Sequence, residues 1–262
     1  MAYNTFGGGA GGWFRSIPPV TRNLIIINLL IWLIEYVSGS FGYRLVDLLG
    51  LHYFWSFSES DFNPAQLVTY MFLHDRNSIM HVLFNMFTLY MFGRIIEQTW
   101  GSRRFLFYYF VCGIGAALFQ EAVWALSWKH EFIDAITSRT GLSSDTVRNY
   151  LATRPEQFAA LMDNFRNALV TIGASGAVFG ILLAFAFLFP DIPLYLFFIP
   201  VPIKAKYMVA GYAVVEFFLG VSGNGGTVAH FAHLGGMIFG LILLLIWRRR
   251  NGGRRNPFMN QF

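Results

Sequence analysis

Two stretches of this chain carry residues able to make and break acyl bonds. One is Gly173-Ala174-Ser175-Gly176-Ala177-Val178-Phe179-Gly180, the other Ala232-His233-Leu234-Gly235-Gly236-Met237-Ile238-Phe239-Gly240. A serine hydroxyl is a weak nucleophile until a neighbouring base takes its proton, and imidazole is the commonest such base. Ser175 stands among small residues at the N-terminal end of an apolar run. Free backbone N–H groups and the helix dipole there favour negative charge. Each stretch also holds a G-x-x-x-G pair, Gly176 with Gly180 and Gly236 with Gly240, a spacing that lets helices in lipid approach closely. Two helices meeting on those faces would bring the Ser175 hydroxyl within reach of the His233 ring. Taken alone, each stretch also fits ordinary helix packing.

A third stretch, His81-Val82-Leu83-Phe84-Asn85, sets an imidazole and a carboxamide at i and i+4 on one helical face. Neutral donors grouped this way can hydrogen-bond an oxyanion, or can satisfy one another. His230 and His233, three residues apart, resemble half of a metal site, but no carboxylate or cysteine completes it within that helix. No metal and no cofactor is therefore expected. Cys112 is the single cysteine, which excludes an internal disulfide and any cysteine-built cluster. Asn28, Glu35, Glu97, Gln120 and Glu121 read as structural, near span ends or paired with backbone and arginine neighbours. Glu216 lies deeper in its apolar run, and the sequence names no partner for it.

The elements that must position these groups are set by composition. Of 262 residues, 55% are hydrophobic and 13% charged, about half the ordinary charged fraction. A water-soluble globule, a coiled coil and a disordered chain are excluded. A span needs about 20 mostly apolar residues. Six are expected, near Leu24–Val37, His81–Ile96, Phe105–Trp128, Leu169–Phe189, Tyr207–Val221 and Val228–Trp247. Pro193, Pro200 and Pro202 break any helix leading into the fifth. Residues 1–21 read as a flexible Gly-rich tail, and 248–262 as a basic tail. Residues 38–80 form a long loop with aromatics suited to the membrane interface. Residues 129–168, with helix starts at Ser143-Ser144 and Pro155, form an extramembrane helical insertion. The fold class is all-α membrane protein, a bundle of six transmembrane helices over residues 22–247.

Positive charge orients the bundle. With six spans, one side holds Arg15, Arg22, Arg94, Arg103, Arg104, Lys204, Lys206 and the five arginines of the C-terminal tail, twelve of the 19 basic residues. Most of the others lie in the long 129–168 loop, which weighs little. Both termini are expected on the cytoplasmic side. The basic excess after the last span suits membrane lipid rather than nucleic acid. The first span is read as a retained helix rather than a cleaved signal.

In order along the chain, His81-x-x-x-Asn85, Gly173-Ala174-Ser175-Gly176 and Ala232-His233-x-x-Gly236-x-x-x-Gly240 resemble the rhomboid family of intramembrane serine proteases. The stretch Glu97 to Gly101 is similar to the family's E-x-x-x-G. The resemblance implies Ser175 as nucleophile and His233 as base, a dyad without an acidic third member. It implies Phe179 packed on the imidazole, and oxyanion donors from Asn85, His81 and the Ser175 backbone. Gly176, Gly180, Gly236 and Gly240 are supporting residues, and His230 is the rival imidazole, disfavoured by the glycine spacing. The implied substrates are single-span transmembrane proteins. They would enter laterally past the fifth helix and the loop Ser222–Gly226, towards a cavity open to the external side. Two departures stand out. Asn63-Pro64-Ala65-Gln66-Leu67 lacks the Trp-Arg pair that anchors the loop in some relatives, leaving its anchor unassigned. The 129–168 insertion also exceeds the family core. The alternatives are a catalytically inactive, client-binding rhomboid-like protein and, less well matched, a transporter, which would show internal symmetry. The expected setting is a bacterial plasma membrane.

Overall fold

The computed structural model describes residues 16–55, 61–196, 199–222 and 229–250. The first element lying wholly within the described residues is α1, Pro19–Val37, then the short α2, Ser40–Leu49, followed by strand β1, Leu51–His52. Next come α3, Gln66–Thr69, prolonged by a 3-10 turn to Phe72, and α4, Ile79–Trp100, which is π-helical over Leu89–Gly93. The long α5, Ser102–Thr140, leads to α6, Ser144–Thr153, and α7, Pro155–Asn167. Strand β2, Val170–Thr171, precedes α8, Ser175–Leu188. A hairpin of β3, Pro193–Leu196, and β4, Ile199–Lys204, then leads to α9, Ala205–Ser222, and α10, His230–Arg250. Helices α1, α4, α5, α9 and α10 are long and apolar enough to cross a bilayer; α8 is a shorter apolar helix of 14 residues. Six helices thus make up the bundle.

The expected spans shift where backbone hydrogen bonding, rather than hydropathy, sets the ends. Pro19 opens α1 five residues before Leu24, with its ring at a first-turn position that needs no N–H. Gly101, at φ 79°, ends α4 beyond Ile96. Helix α5 continues past Trp128 through a polar but helix-forming stretch until Gly141 adopts the left-handed conformation at φ 71°. The 129–168 insertion therefore starts as the outer part of α5; Ser143 caps α6 by accepting from Thr146 N–H, and Pro155 opens α7. The largest correction concerns the fourth span. Residues 169–174 are not helical: Val170 and Thr171 pair with His52 and Leu51. The 14 residues of α8 span roughly 21 Å at 1.5 Å per residue, short of a hydrocarbon core about 30 Å thick. A helix that short leaves at least one of its ends within the hydrocarbon core. The proline-rich approach to α9 is the β3–β4 hairpin. The expected tails lie, in 1–15 and 251–262, outside the described residues, as does the loop Ser222–Gly226 past Ser222.

Polar groups brace the 38–80 loop internally and tie it to α5. Gln66 Nε2 donates to the carbonyls of Leu48 and Asp61, and its Oε1 accepts from His52 N–H. Thr69 Oγ1 donates to Leu49 O, and Glu121 accepts from Phe54 N–H at 3.1 Å. Glu121 thus pairs with backbone, one of the roles expected for it, and ties the loop to α5. Glu97 accepts from Val20 N–H, from both Thr21 N–H and Oγ1, and from Ser102 Oγ, tying α1 to the α4–α5 junction.

Helix α8 runs through the centre, with ten of its 14 residues buried. Glycine permits its neighbours to come so close. A Cβ built on Gly236 would collide with the carbonyl oxygen and carbon of Gly176, and one on Gly180 with Cys112 of α5. Gly240 departs from expectation: it faces Tyr108 and Cys112 of α5 rather than α8. Tyr108 donates its hydroxyl to Gly180 O at 2.9 Å.

Gly236→Ala should therefore destabilise the bundle by about 3 kcal/mol or more, because the added methyl meets rigid backbone. Gly211→Ala on α9, where a Cβ meets nothing within 4 Å, should be neutral or stabilising by up to about 1 kcal/mol. Unfolding midpoints of the two variants in detergent test the contrast.

Candidate active site

Ser175 is the first residue of α8, so its backbone N–H has no partner within the helix. The turn that delivers it depends on Gly173, which adopts φ 127° and donates its N–H to Tyr70 O at 2.9 Å. A Cβ there would lie 3.0 Å from His81 Nε2 and 3.6 Å from Ser175 Oγ. The His81 ring and the Ser175 hydroxyl thus flank the space that only a glycine leaves open.

His233, in the first turn of α10, places its Nε2 2.7 Å from Ser175 Oγ. The aromatic ring of Phe179, one turn into α8, stacks on the imidazole at 4.3 Å between centroids and 6° between planes. On the other side of the ring, His233 Nδ1 lies 2.8 Å from Glu216 Oε2. His230 Nδ1 lies 2.7 Å from the same oxygen. An ionised carboxylate only accepts, so both histidines then carry their protons on Nδ1. That leaves Nε2 of a neutral His233 as the acceptor for the Ser175 hydroxyl. The expectation of a dyad with no acidic neighbour is corrected here: a carboxylate touches the imidazole.

The His81–Asn85 pair sits beside this cluster. Asp75 N–H donates to His81 Nδ1 at 3.2 Å, so the ring proton of a neutral His81 resides on Nε2, the nitrogen nearest Gly173. Asn85 is buried and donates one amide hydrogen to the His81 carbonyl at 3.0 Å. It therefore bonds the backbone of its own helix, not the His81 ring, and its second amide hydrogen is not spent there. His74 packs edge-to-face on His81 at 5.1 Å. Burial, then the neighbouring His81, push its pKa down to about 3, so no cation forms there at neutral pH.

The structure thus brings together Ser175, His233, Phe179 and His81 as the sequence suggests, with Gly176 and Gly236 at the helix contact beneath them. His230 turns its ring to Glu216, so Ser175 Oγ pairs with His233. Glu216 is the residue whose partners the sequence did not reveal. The signal was present: it is the sole carboxylate in the α9 run, and a charge in lipid needs a partner. Those partners lie on a different helix, which no spacing rule reaches. No carboxylate completes a metal site within that helix, as expected, but Glu216 of α9 adds one from outside it: with His230 and His233 it forms a group of three ligand atoms within 4.8 Å of one another.

The family model described as Rhomboid domain matches residues 62–250. RHOMBOID-like protein 12, mitochondrial, of Arabidopsis thaliana is 31% identical over 72% of this chain and 47% of its own length. Rhomboid-like protein 16, chloroplastic, of the same plant is 24% identical over 92% of this chain and 65% of its own. Rhomboid protein 1, mitochondrial, of Saccharomyces cerevisiae is 38% identical over 28% of this chain and 20% of its own. The chain therefore spans less than two thirds of the length of the curated relatives it matches. Their names place them in mitochondria and a chloroplast, so the expectation of a bacterial plasma membrane is not borne out; an integral membrane protein is.

Gly173→Ala should cost about 1–3 kcal/mol for its backbone conformation, with the His81 ring displaced in addition. Gly141→Ala, also at positive φ but with no atom near its Cβ, should cost only about 1–2 kcal/mol. Denaturation midpoints measure both, and equal losses would show that His81 does not press on Gly173.

Proposed function

The chain belongs to the rhomboid family, and from that premise we propose that it is an intramembrane serine endopeptidase working through Ser175 and His233. The observation that carries this reading is the 2.7 Å contact between Ser175 Oγ and His233 Nε2. An inactive, client-binding member would have no need of a hydroxyl and a base so aligned at the start of a short helix.

In the reaction, Ser175 Oγ attacks the scissile carbonyl carbon while its proton passes to His233 Nε2. The carbonyl oxygen becomes an oxyanion, and three donors are available to it: Ser175 N–H, His81 Nε2–H and an Asn85 amide hydrogen. Collapse of the intermediate breaks the C–N bond, and the imidazolium gives its proton to the leaving amine. Water then enters; His233 takes one of its protons, the hydroxide oxygen attacks the acyl carbon, and Ser175 Oγ leaves as the hydroxyl. Phe179, stacked on the ring, keeps the imidazole in its plane through both halves.

The depth at which α8 begins bears on the substrate. Non-helical backbone inside a membrane is tolerated where it is buried or lines a water-filled cavity. Residues 169–174, which include strand β2, are that kind of segment and precede Ser175 directly. The substrate proposed is a single-span transmembrane protein whose helix is weakened near the cleavage point. Its entry is proposed past α9, whose Val214, Val215, Phe217 and Phe218 face outward. The cavity is assigned to the side opposite the termini, both of which are taken as cytoplasmic from the arginine count.

Purified protein in detergent with a generic single-span substrate tests the proposal. The parent should cleave, Ser175→Ala and His233→Ala should lose all measurable turnover, and His230→Ala should still cleave, more slowly. Cleavage surviving in Ser175→Ala would sink the assignment, and a parent that binds such substrates without cutting them would favour the client-binding alternative.

Asn85→Ala should lower kcat about 10²-fold, the cost of one oxyanion donor, with fluorophosphonate still labelling Ser175. An unchanged kcat would remove Asn85 from the site.

A further inference from the structure

Glu216 interrupts an outward-facing apolar helix. On α9, Val214, Val215, Phe217 and Phe218 are all at least half exposed, whereas the Glu216 side chain is only 14% exposed and turned to α10. A carboxylate in such a setting is costly and is retained where it does something. Its position within the site is well defined. Ser175 meets His233 at Nε2, Phe179 covers one face of the ring, and Glu216 meets Nδ1. Tyr212, one turn before Glu216 on the same side of α9, rests its ring edge-on against Phe179 at 6.5 Å. Two successive turns of α9 are therefore directed at the stacked Phe179–His233 pair.

We propose that Glu216 is the acidic third member of this serine site, a positioning residue that acts through His233, and that His230 in turn fixes Glu216. The proposal rests on the protease reading given above. A hydrogen bond from Nδ1–H to a carboxylate holds the imidazole in the tautomer whose Nε2 accepts the serine proton. It also favours the imidazolium that forms once that proton arrives. No proton transfer to Glu216 is involved: it accepts the same Nδ1–H before, during and after each half-reaction. A single bond would leave a flexible glutamate free to rotate away. The second one, from His230 Nδ1 to the same Oε2, removes that freedom. His230 thus appears in the sequence as a competitor of His233 and in the structure as its indirect support. The arrangement has three members on three helices: Ser175 on α8, His233 on α10 and Glu216 on α9.

The test separates kcat from KM for cleavage of a single-span substrate by the full chain in detergent. Glu216→Gln keeps the shape and an accepting oxygen but removes the charge. It should lower kcat by about 10²-fold or more, by comparison with the roughly 10⁴-fold loss when a serine-protease aspartate becomes its amide. KM should stay within about twofold of the parent, because Glu216 touches no substrate. Glu216→Asp should recover at least about tenfold of the loss. His230→Gln should cost about tenfold, the usual scale for a residue that orients another. Unfolding midpoints of all three should lie near the parent's. A Glu216→Gln variant with parental kcat would overturn the proposal while leaving the Ser175–His233 reading intact. So would a loss that follows the unfolding midpoint and is not recovered in Glu216→Asp. If instead Ser175→Ala still cleaves, the protease reading itself fails and Glu216 falls with it.

Discussion

Where α10 crosses α8 at Gly236, two backbones meet, not two side chains. Gly236 of α10 rests against the carbonyl group of Gly176 of α8, in space that even a methyl would need. In lipid, helices gain little from hiding apolar surface from one another, so intimate van der Waals contact and interhelical hydrogen bonds do the holding. One turn before Gly236 stands His233, and one residue before Gly176 stands Ser175. The separation of hydroxyl and imidazole is therefore set by the backbone contact immediately beside them. Gly180 against Cys112, and Tyr108 bonded to Gly180 O, extend the same close fit to α5.

Around this contact, most polar side chains of the bundle act as fasteners. Glu97 collects four donors from α1 and the start of α5. Gln66 and Thr69 bind the carbonyls at the end of α2, and Glu121 takes the N–H of Phe54. Each satisfies backbone groups that would be stranded away from water, where an unmet donor costs about 1–3 kcal/mol. The loop of residues 38–80 is thus braced within itself by Gln66 and Thr69 and tied to the rest of the chain through Glu121 and the short β1–β2 pairing.

Much of this was legible in the sequence because lipid makes polar residues conspicuous. Ser175, His233, His81 and Asn85 stood out against apolar runs, and G-x-x-x-G spacing pointed to the faces on which α8 and α10 meet. Hydropathy was a poorer guide to ends: it could not show that residues 169–174 leave the helix to pair with β1, nor that α5 runs on to Thr140. Both depend on backbone hydrogen bonding, to which hydropathy is blind. Gly240 was misassigned because a small residue announces closeness without naming the neighbour. Glu216 was noticed and left without a role for a related reason: its bonds cross from α9 to α10, and periodicity along one helix carries no information about the next.

Helix α5 has a mechanical aspect. Its 39 residues extend roughly 58 Å at 1.5 Å per residue, about twice the thickness of the hydrocarbon core. It has no break at which bending would be absorbed. Towards its C-terminal end it is clamped to the insertion by Phe132 against Phe165 and by the Arg166 guanidinium lying 4.0 Å over Trp128. Within its first half, Ala116 and Cys112 lie against Gly176 and Gly180. The insertion and the floor beneath Ser175 are thus joined by one unbroken helix.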